Sequence, residues 1–353
     1  MTARGIGLAA GALLAAYLLW WPTAIDPVAW QPLADPGLSG PYASNQALGS
    51  LHLLPEVGPG PEAVAVSRDG WLYSGLQDGR VVRMQADGGT PATFARTGGR
   101  PLGMKFDRAG NLIVADAFRG LLRIDPHGTI VVLADRAAGE PIRFANDLAI
   151  GNDGAICFSD SSRRFDQLHW MADFWEARPT GRLLRYDPAG PTVSVVLDGL
   201  MFPNGVALGP GDEFVVVAET LPARLTRHWL RGPKAGQSEQ FGPPLPGYPD
   251  NVTYDGKGIF WIALPSPRVP ALERMAGWPR LRQVLFHIPA AIRDPQPGRL
   301  AWVLGMNTEG RVVRSLQDSS GKYGEVTSVI ASASRLYFGS IATRAIGWVD
   351  LPD

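Results

Sequence analysis

Trp71-Leu72-Tyr73-Ser74-Gly75 is a short apolar strand behind an Asp69-Gly70 turn, and the chain repeats that phrase five more times. The copies are Asn111-Leu112-Ile113-Val114-Ala115, Ala155-Ile156-Cys157-Phe158-Ser159, Glu213-Phe214-Val215-Val216-Val217, Ile259-Phe260-Trp261-Ile262-Ala263 and Arg335-Leu336-Tyr337-Phe338-Gly339. Ala109-Gly110, Asp153-Gly154, Gly211-Asp212 and Lys257-Gly258 precede four of them, which is hairpin chemistry. A further strand follows several copies, as in Arg80-Val81-Val82-Arg83, Leu121-Leu122-Arg123-Ile124, Arg182-Leu183-Leu184-Arg185 and Arg224-Leu225-Thr226-Arg227. A fourth fits Thr129 to Leu133 and Thr192 to Leu197. Four-stranded units recurring at spacings of 40, 44, 58, 46 and 76 residues predict an all-β, six-bladed β-propeller. Six copies in register argue against an irregular sandwich. The last copy begins close to the carboxyl end, so its outer strand has to come from elsewhere. Leu51-His52-Leu53-Leu54 is the available donor, and it would close the ring.

Composition agrees. Of 353 residues, 45% are apolar and 19% charged, enough for a large core, and 42 Gly with 31 Pro suit a turn-dense chain. The balance of 33 basic and 33 acidic residues, without a basic run, speaks against nucleic acid as a partner. A single cysteine, Cys157, allows no internal disulfide, and no Cys/His spacing resembles a zinc site.

Gly5 to Ile25 carries no charge and is long enough to span a bilayer, with Arg4 on the cytoplasmic side and Trp20-Trp21 at the far interface. This predicts a single-pass membrane protein with a signal anchor over residues 1–25, a linker over 26–49 and a propeller over 50–353 on the extracytoplasmic side, in periplasm or lumen. A cleaved signal peptide is the other reading, which the poor cleavage site at Trp20-Trp21-Pro22-Thr23-Ala24 disfavours. The wide spacings mark insertions at His169 to Pro179 and Pro265 to Pro297, both rich in aromatics and Pro. Three roles stand open for them: cover for the channel mouth, contact with a membrane, or local packing over a blade.

Propeller ligands gather where the innermost strands begin. Counting back nine residues from each repeated strand gives Glu62, Leu102, Asn146, Asn204, Asp250 and Val326. Four of these six offer oxygen, and each of the four is followed by an apolar strand. Two carboxylates and two amides, without Cys or His, suit a hard cation, and Ca²⁺ tolerates irregular geometry better than Mg²⁺. One such Asn would be an ordinary turn former, but four polar groups at one register would meet around the channel. None of the five histidines falls at that register or beside a nucleophile motif.

Pro101-Leu102-Gly103, Phe144-Ala145-Asn146-Asp147, Phe158-Ser159-Asp160-Ser161-Ser162, Gly181-Arg182-Leu183-Leu184, Phe202-Pro203-Asn204-Gly205-Val206-Ala207, Gly232-Pro233-Lys234-Ala235-Gly236 and Gly247-Tyr248-Pro249-Asp250-Asn251 resemble the strictosidine synthase-like family. The nearest resemblance is to its branch of adipocyte plasma membrane-associated proteins, anchored by one amino-terminal helix. The wider superfamily includes paraoxonases, gluconolactonases and squid-type diisopropyl fluorophosphatase, six-bladed propellers with a central calcium. The resemblance implies calcium-ligand roles for Glu62, Asn146, Asn204 and Asp250, with Asn251 as an additional ligand. Where true strictosidine synthases carry a catalytic glutamate, this chain has Thr327, with Glu325 two residues earlier, so amine–aldehyde condensation is not expected. Where paraoxonases carry a histidine base, it has Leu102. The expected activity is calcium-dependent hydrolysis of esters or lactones, extending to phosphotriesters, with Asp250 as nucleophile or base. The alternative is a non-catalytic propeller that binds a partner or small ligand and uses calcium only to tie its blades together.

Overall fold

The computed structural model describes residues 17–18, 21–294 and 299–351. Every repeated phrase is the second strand of a four-stranded antiparallel sheet: Trp71–Gly75, Leu112–Asp116, Ile156–Asp160, Phe214–Glu219, Ile259–Ala263 and Arg335–Ser340, in blades 1 to 6. The first strands are Val64–Val66, Pro101–Phe106, Ala145–Ile150, Pro203–Leu208, Val252–Tyr254 and Val326–Ser332. Each first strand lies beside that of the next blade, and the sixth returns to the first, so the six form a closed ring. Closure is made as expected. His52–Leu53 pairs with Gly347–Asp350 of blade 6, His52 opposite Trp348, and their rings stack 4.6 Å apart. Radial repetition of this kind leaves only short, protected strand edges.

The repeated strands are predominantly apolar because both of their faces are buried. In blade 5, Phe260 and Ile262 join a cluster with Phe214, Val216 and Ala218 of blade 4, while Trp261 and Ala263 join Val326, Val329 and Phe338 of blade 6. The same division repeats at every junction, giving six clusters, each shared by two blades. The segment expected as a linker is packed in its second half. Tyr42 enters the cluster of blades 4 and 5, and Leu48 and Leu51 that of blades 5 and 6. Asn45 Oδ1 accepts Gln317 N–H at 3.0 Å, and Leu48 N–H donates to Gln317 O at 2.9 Å.

A second compact unit takes its residues from Met1–Pro32, His169–Arg178 and Val269–Gln296. The two insertions therefore share one small body with the amino-terminal segment. Among the described residues its helices include Trp170–Glu176, Pro270–Arg274, Pro279–Leu285 and Ala290–Arg293. Two of them start on Pro, whose missing N–H costs nothing at a first helical position. Arg282 is fully buried and organises the unit. It donates to Trp175 O at 2.8 Å, Ala276 O at 3.3 Å and Val28 O, drawing on three separate stretches of chain.

Residues 1–16, 19 and 20, which carry most of the expected anchor, lie outside the described residues. Among those described, no helix is long and apolar enough to cross a membrane. Trp21 to Ile25, at the end of that stretch, are not helical, and Ile25 is buried. Pro22 cannot donate the backbone bond that would continue a helix.

Candidate functional site

The strand ladder places the channel residues. In blades 2, 3, 4 and 6 the pairing of first and second strands slips just inside the first strand, between Pro101/Met104, Ala145/Leu148, Pro203/Val206 and Val326/Ser328. Such bulges re-aim side chains. Regular pairing includes Val64, Met104, Leu148, Val206, Val252 and Val329. Two residues ahead of these stand Glu62, Leu102, Asn146, Asn204, Asp250 and Thr327. Counting nine back had put Val326 in the sixth place. The ladder puts Thr327 there, because the last hairpin is one residue shorter: Val329 pairs with Phe338, whereas Leu148 pairs with Phe158.

Neighbouring inner strands nearly touch at this level, which explains two glycines. A Cβ on Gly103 would lie 2.8 Å from Asn146 O, and one on Gly205 would lie 2.3 Å from Val252 N. Bonds between blades then fix the ring. Ser159 Oγ donates to Asn204 O at 2.6 Å, Gly205 N–H to Asp250 O at 3.2 Å, Asn251 N–H to Thr327 O at 3.0 Å and Thr327 Oγ1 to Glu62 O at 2.7 Å.

The strand register brings Glu62, Asn146, Asn204 and Asp250 to equivalent places in their blades. Glu62, Asn146, Asn204 and Asn251 are each 5% exposed or less, and Asp250 is half-buried. Asn251 Nδ2 donates to Glu62 Oε1 at 2.9 Å, joining blade 5 to blade 1. Asn146 Nδ2 donates to Ser161 Oγ at 3.0 Å, and the Asn204 side chain hydrogen-bonds Asp250. Their other oxygens have nothing to bind: Glu62 Oε2, Asn146 Oδ1, Asn204 Oδ1 and Asn251 Oδ1 are all buried without a partner. A buried acceptor left unpaired costs about 1–3 kcal/mol. Three of these oxygens stand at equivalent blade positions and that of Asn251 one residue on, and oxygens of this kind suit a hard cation.

The electrostatics agree. Burial pushes the Glu62 carboxyl up to about 8, with the charge of Asp147 adding and those of Arg100 and Lys105 and the Asn251 bond opposing. Burial raises Asp250 well above the usual carboxylate range, and Glu62 and Asp147 raise it further. Carboxylates that repel in this way gain from a shared positive ion. Among the described residues, no three His, Cys, Asp or Glu side chains form a metal-binding group, so the site depends on its amides.

Three neighbours of the site escaped the sequence reading. Asp147 is buried, its Oδ2 accepts Val206 N–H at 3.0 Å, and burial raises its carboxyl. Arg100 is buried and donates to Gly60 O at 3.1 Å. Ser161 holds Asn146. Asp147 was visible as the second residue of Asn146-Asp147, but counting one residue per blade passed over it. Thr327 offers no base, since its hydroxyl is committed to Glu62 O. Glu325, two residues ahead, is half-buried at a left-handed φ of 48°, and burial raises its carboxyl. His52 and His228 stand on outer strands, against Trp348 and Ser238.

The comparisons with known proteins extend over most of the chain. The family model described as strictosidine synthase matches residues 146–233, and the one described as strictosidine synthase-like, N-terminal, matches 40–84. Strictosidine synthase-like 13 of Arabidopsis thaliana is 36% identical over 331 residues, covering 83% of this chain and 78% of its own. The adipocyte plasma membrane-associated protein of Danio rerio is 32% identical over 351 residues, covering 93% and 84%. Among solved structures, a gluconolactonase of Xanthomonas campestris superposes with a TM-score of 0.63 at 19% identity, covering 86% of this chain and 89% of its own. A calcium-binding regucalcin of Agrobacterium tumefaciens superposes at 0.59 and 14% identity, covering 85% and 93%. These two likenesses are of fold. The chain belongs to the strictosidine synthase-like family.

Proposed function

We propose that this chain is a calcium-dependent hydrolase of esters or lactones. The observation that carries the reading is the set of four buried, unpartnered oxygens on Glu62, Asn146, Asn204 and Asn251, beside the carboxylate of Asp250. Glu62, Asn146, Asn204 and Asp250 would hold the ion, with Asn251 as an additional ligand. Calcium in that place supplies a Lewis acid that polarises a substrate carbonyl and stabilises the oxyanion. Asp250 is less buried than Glu62, Asn146 and Asn204, which suits it to meet substrate as nucleophile or base. The Asn204 side chain bonds its carboxylate and helps hold its orientation. Leu102 gives the second blade an apolar wall at the same level. The likeness to a gluconolactonase and a calcium-binding regucalcin supports the reading through fold. The uncharged stretch from Gly5 to Ile25 supports a place at a membrane, with the propeller on the extracytoplasmic side.

A panel of aryl esters and lactones, assayed with calcium and with a chelator, tests this. Hydrolysis that needs calcium and falls about 10²–10⁴-fold in Asp250→Asn is expected. Leu102→Ala should change substrate preference and leave calcium affinity unaltered. A protein that binds calcium and is stabilised by it, yet turns over no member of the panel, would be a binding propeller instead. Full turnover by Asp250→Asn at saturating calcium would remove Asp250 from the chemistry.

A further inference from the structure

An asparagine ligates a cation through Oδ1 alone, so a site built on asparagines has to decide which end of each amide faces the ion. For Asn251 and Asn204 the decision is made by other members of the ring, Glu62 and Asp250. For Asn146 it is made by Ser161, which is outside the ring.

Ser161 directly follows the second strand of blade 3, Ile156–Asp160, and is fully buried. Its Oγ lies 2.7 Å from Pro203 O, a carbonyl with no proton to give, so the hydroxyl proton is committed there. What remains of Ser161 toward Asn146 is a lone pair, 3.0 Å from the amide end. Only the NH₂ end can satisfy a lone pair. The oxygen end is therefore turned away from Ser161, and it is the oxygen found buried without a partner. Blade 4 thus fixes the proton of Ser161, and Ser161 fixes the amide of blade 3. The backbone that carries Ser161 is equally held, its N–H donating to Phe144 O at 2.9 Å, two residues ahead of Asn146.

We propose that Ser161 is a positioning residue of the cation site: it selects the Asn146 amide orientation that presents Oδ1 to the ion. This rests on the calcium reading above. Outer-shell partners of this kind change metal affinity about 10–100-fold when removed. Ser159 supplies the matched control. It lies two residues earlier, inside that strand, is equally buried and also crosses to blade 4, bonding Asn204 O, but it bonds only main-chain atoms.

The test is a double-mutant cycle on calcium affinity, measured by isothermal titration calorimetry. Ser161→Ala should weaken calcium binding about 10–100-fold. In an Asn146→Asp background both ends of the side chain are oxygens, orientation no longer matters, and adding Ser161→Ala should cost less than about 3-fold. Ser159→Ala should fall well short of the Ser161→Ala loss. An equal loss from Ser161→Ala in both backgrounds, or losses from Ser159→Ala as large, would mean that Ser161 only supports the fold, and the proposal would fall. Unaltered affinity in Ser161→Ala would overturn it while leaving the calcium reading in place. Absence of calcium binding in the unsubstituted protein would overturn both.

Discussion

Replacing Asn146 with leucine separates a cation ligand from an ordinary buried asparagine, because the two readings predict opposite changes in the metal-free protein. Asn146 Oδ1 is buried with no partner, and removing an unpaired acceptor relieves about 1–3 kcal/mol. Against this, Asn146→Leu loses the bond from Nδ2 to Ser161 Oγ, about 0.5–1.5 kcal/mol, although Ser161 keeps its bond to Pro203 O. Leucine has the right size, and Leu102 occupies the equivalent bulge of blade 2. Metal-free Asn146→Leu is thus expected to be more stable by on the order of 1 kcal/mol, raising Tm by about 2 °C in a chain of this length. Calcium at 100 times the wild-type Kd stabilises wild type by about 2.7 kcal/mol. If a lost ligand weakens binding about 10–100-fold, the same calcium stabilises the variant by only about 0.4–1.4 kcal/mol. Thermal unfolding of both proteins in chelator and in calcium reads all four quantities. A metal-free variant less stable than wild type by over about 1 kcal/mol, with its calcium response intact, would show that Asn146 is a satisfied structural residue and refute the reasoning.

Two further outcomes are expected. Burial pushes the Cys157 thiol up to about 12, so at pH 8 it stays protonated and the reactive thiolate is absent. A disulfide reagent should label it only after unfolding, and rapid labelling of the native protein would contradict its buried place. The full chain should remain in the membrane fraction through an alkaline carbonate wash, with residues 1–25 still attached by mass spectrometry. Release of the protein, or a mature chain beginning near Ile25, would end the anchor reading.

The repeat itself was legible because a blade strand buried on both faces is mostly apolar, and a hairpin turn announces most copies. From Trp71-Leu72-Tyr73-Ser74-Gly75 onward the pattern sufficed for six blades and for closure by His52 and Leu53. The ring residues Glu62, Leu102, Asn146, Asn204 and Asp250 followed from the same periodicity, since equal blades bring equal positions to one level. The count failed by one residue at Thr327, where a shorter hairpin moved the register.

Only the tertiary structure decided the rest. Which end of the Asn146 amide is bonded is set by Ser161, 15 residues away, whose own proton goes to Pro203 O in the next blade. Likewise, the gathering of the two insertions with the amino-terminal segment depends on Arg282 reaching carbonyls up to 254 residues away. A linear sequence shows what each side chain can donate or accept, and its period shows which positions share a level. It does not show which partner has already taken a given proton, because that is settled by close packing between segments far apart in the chain.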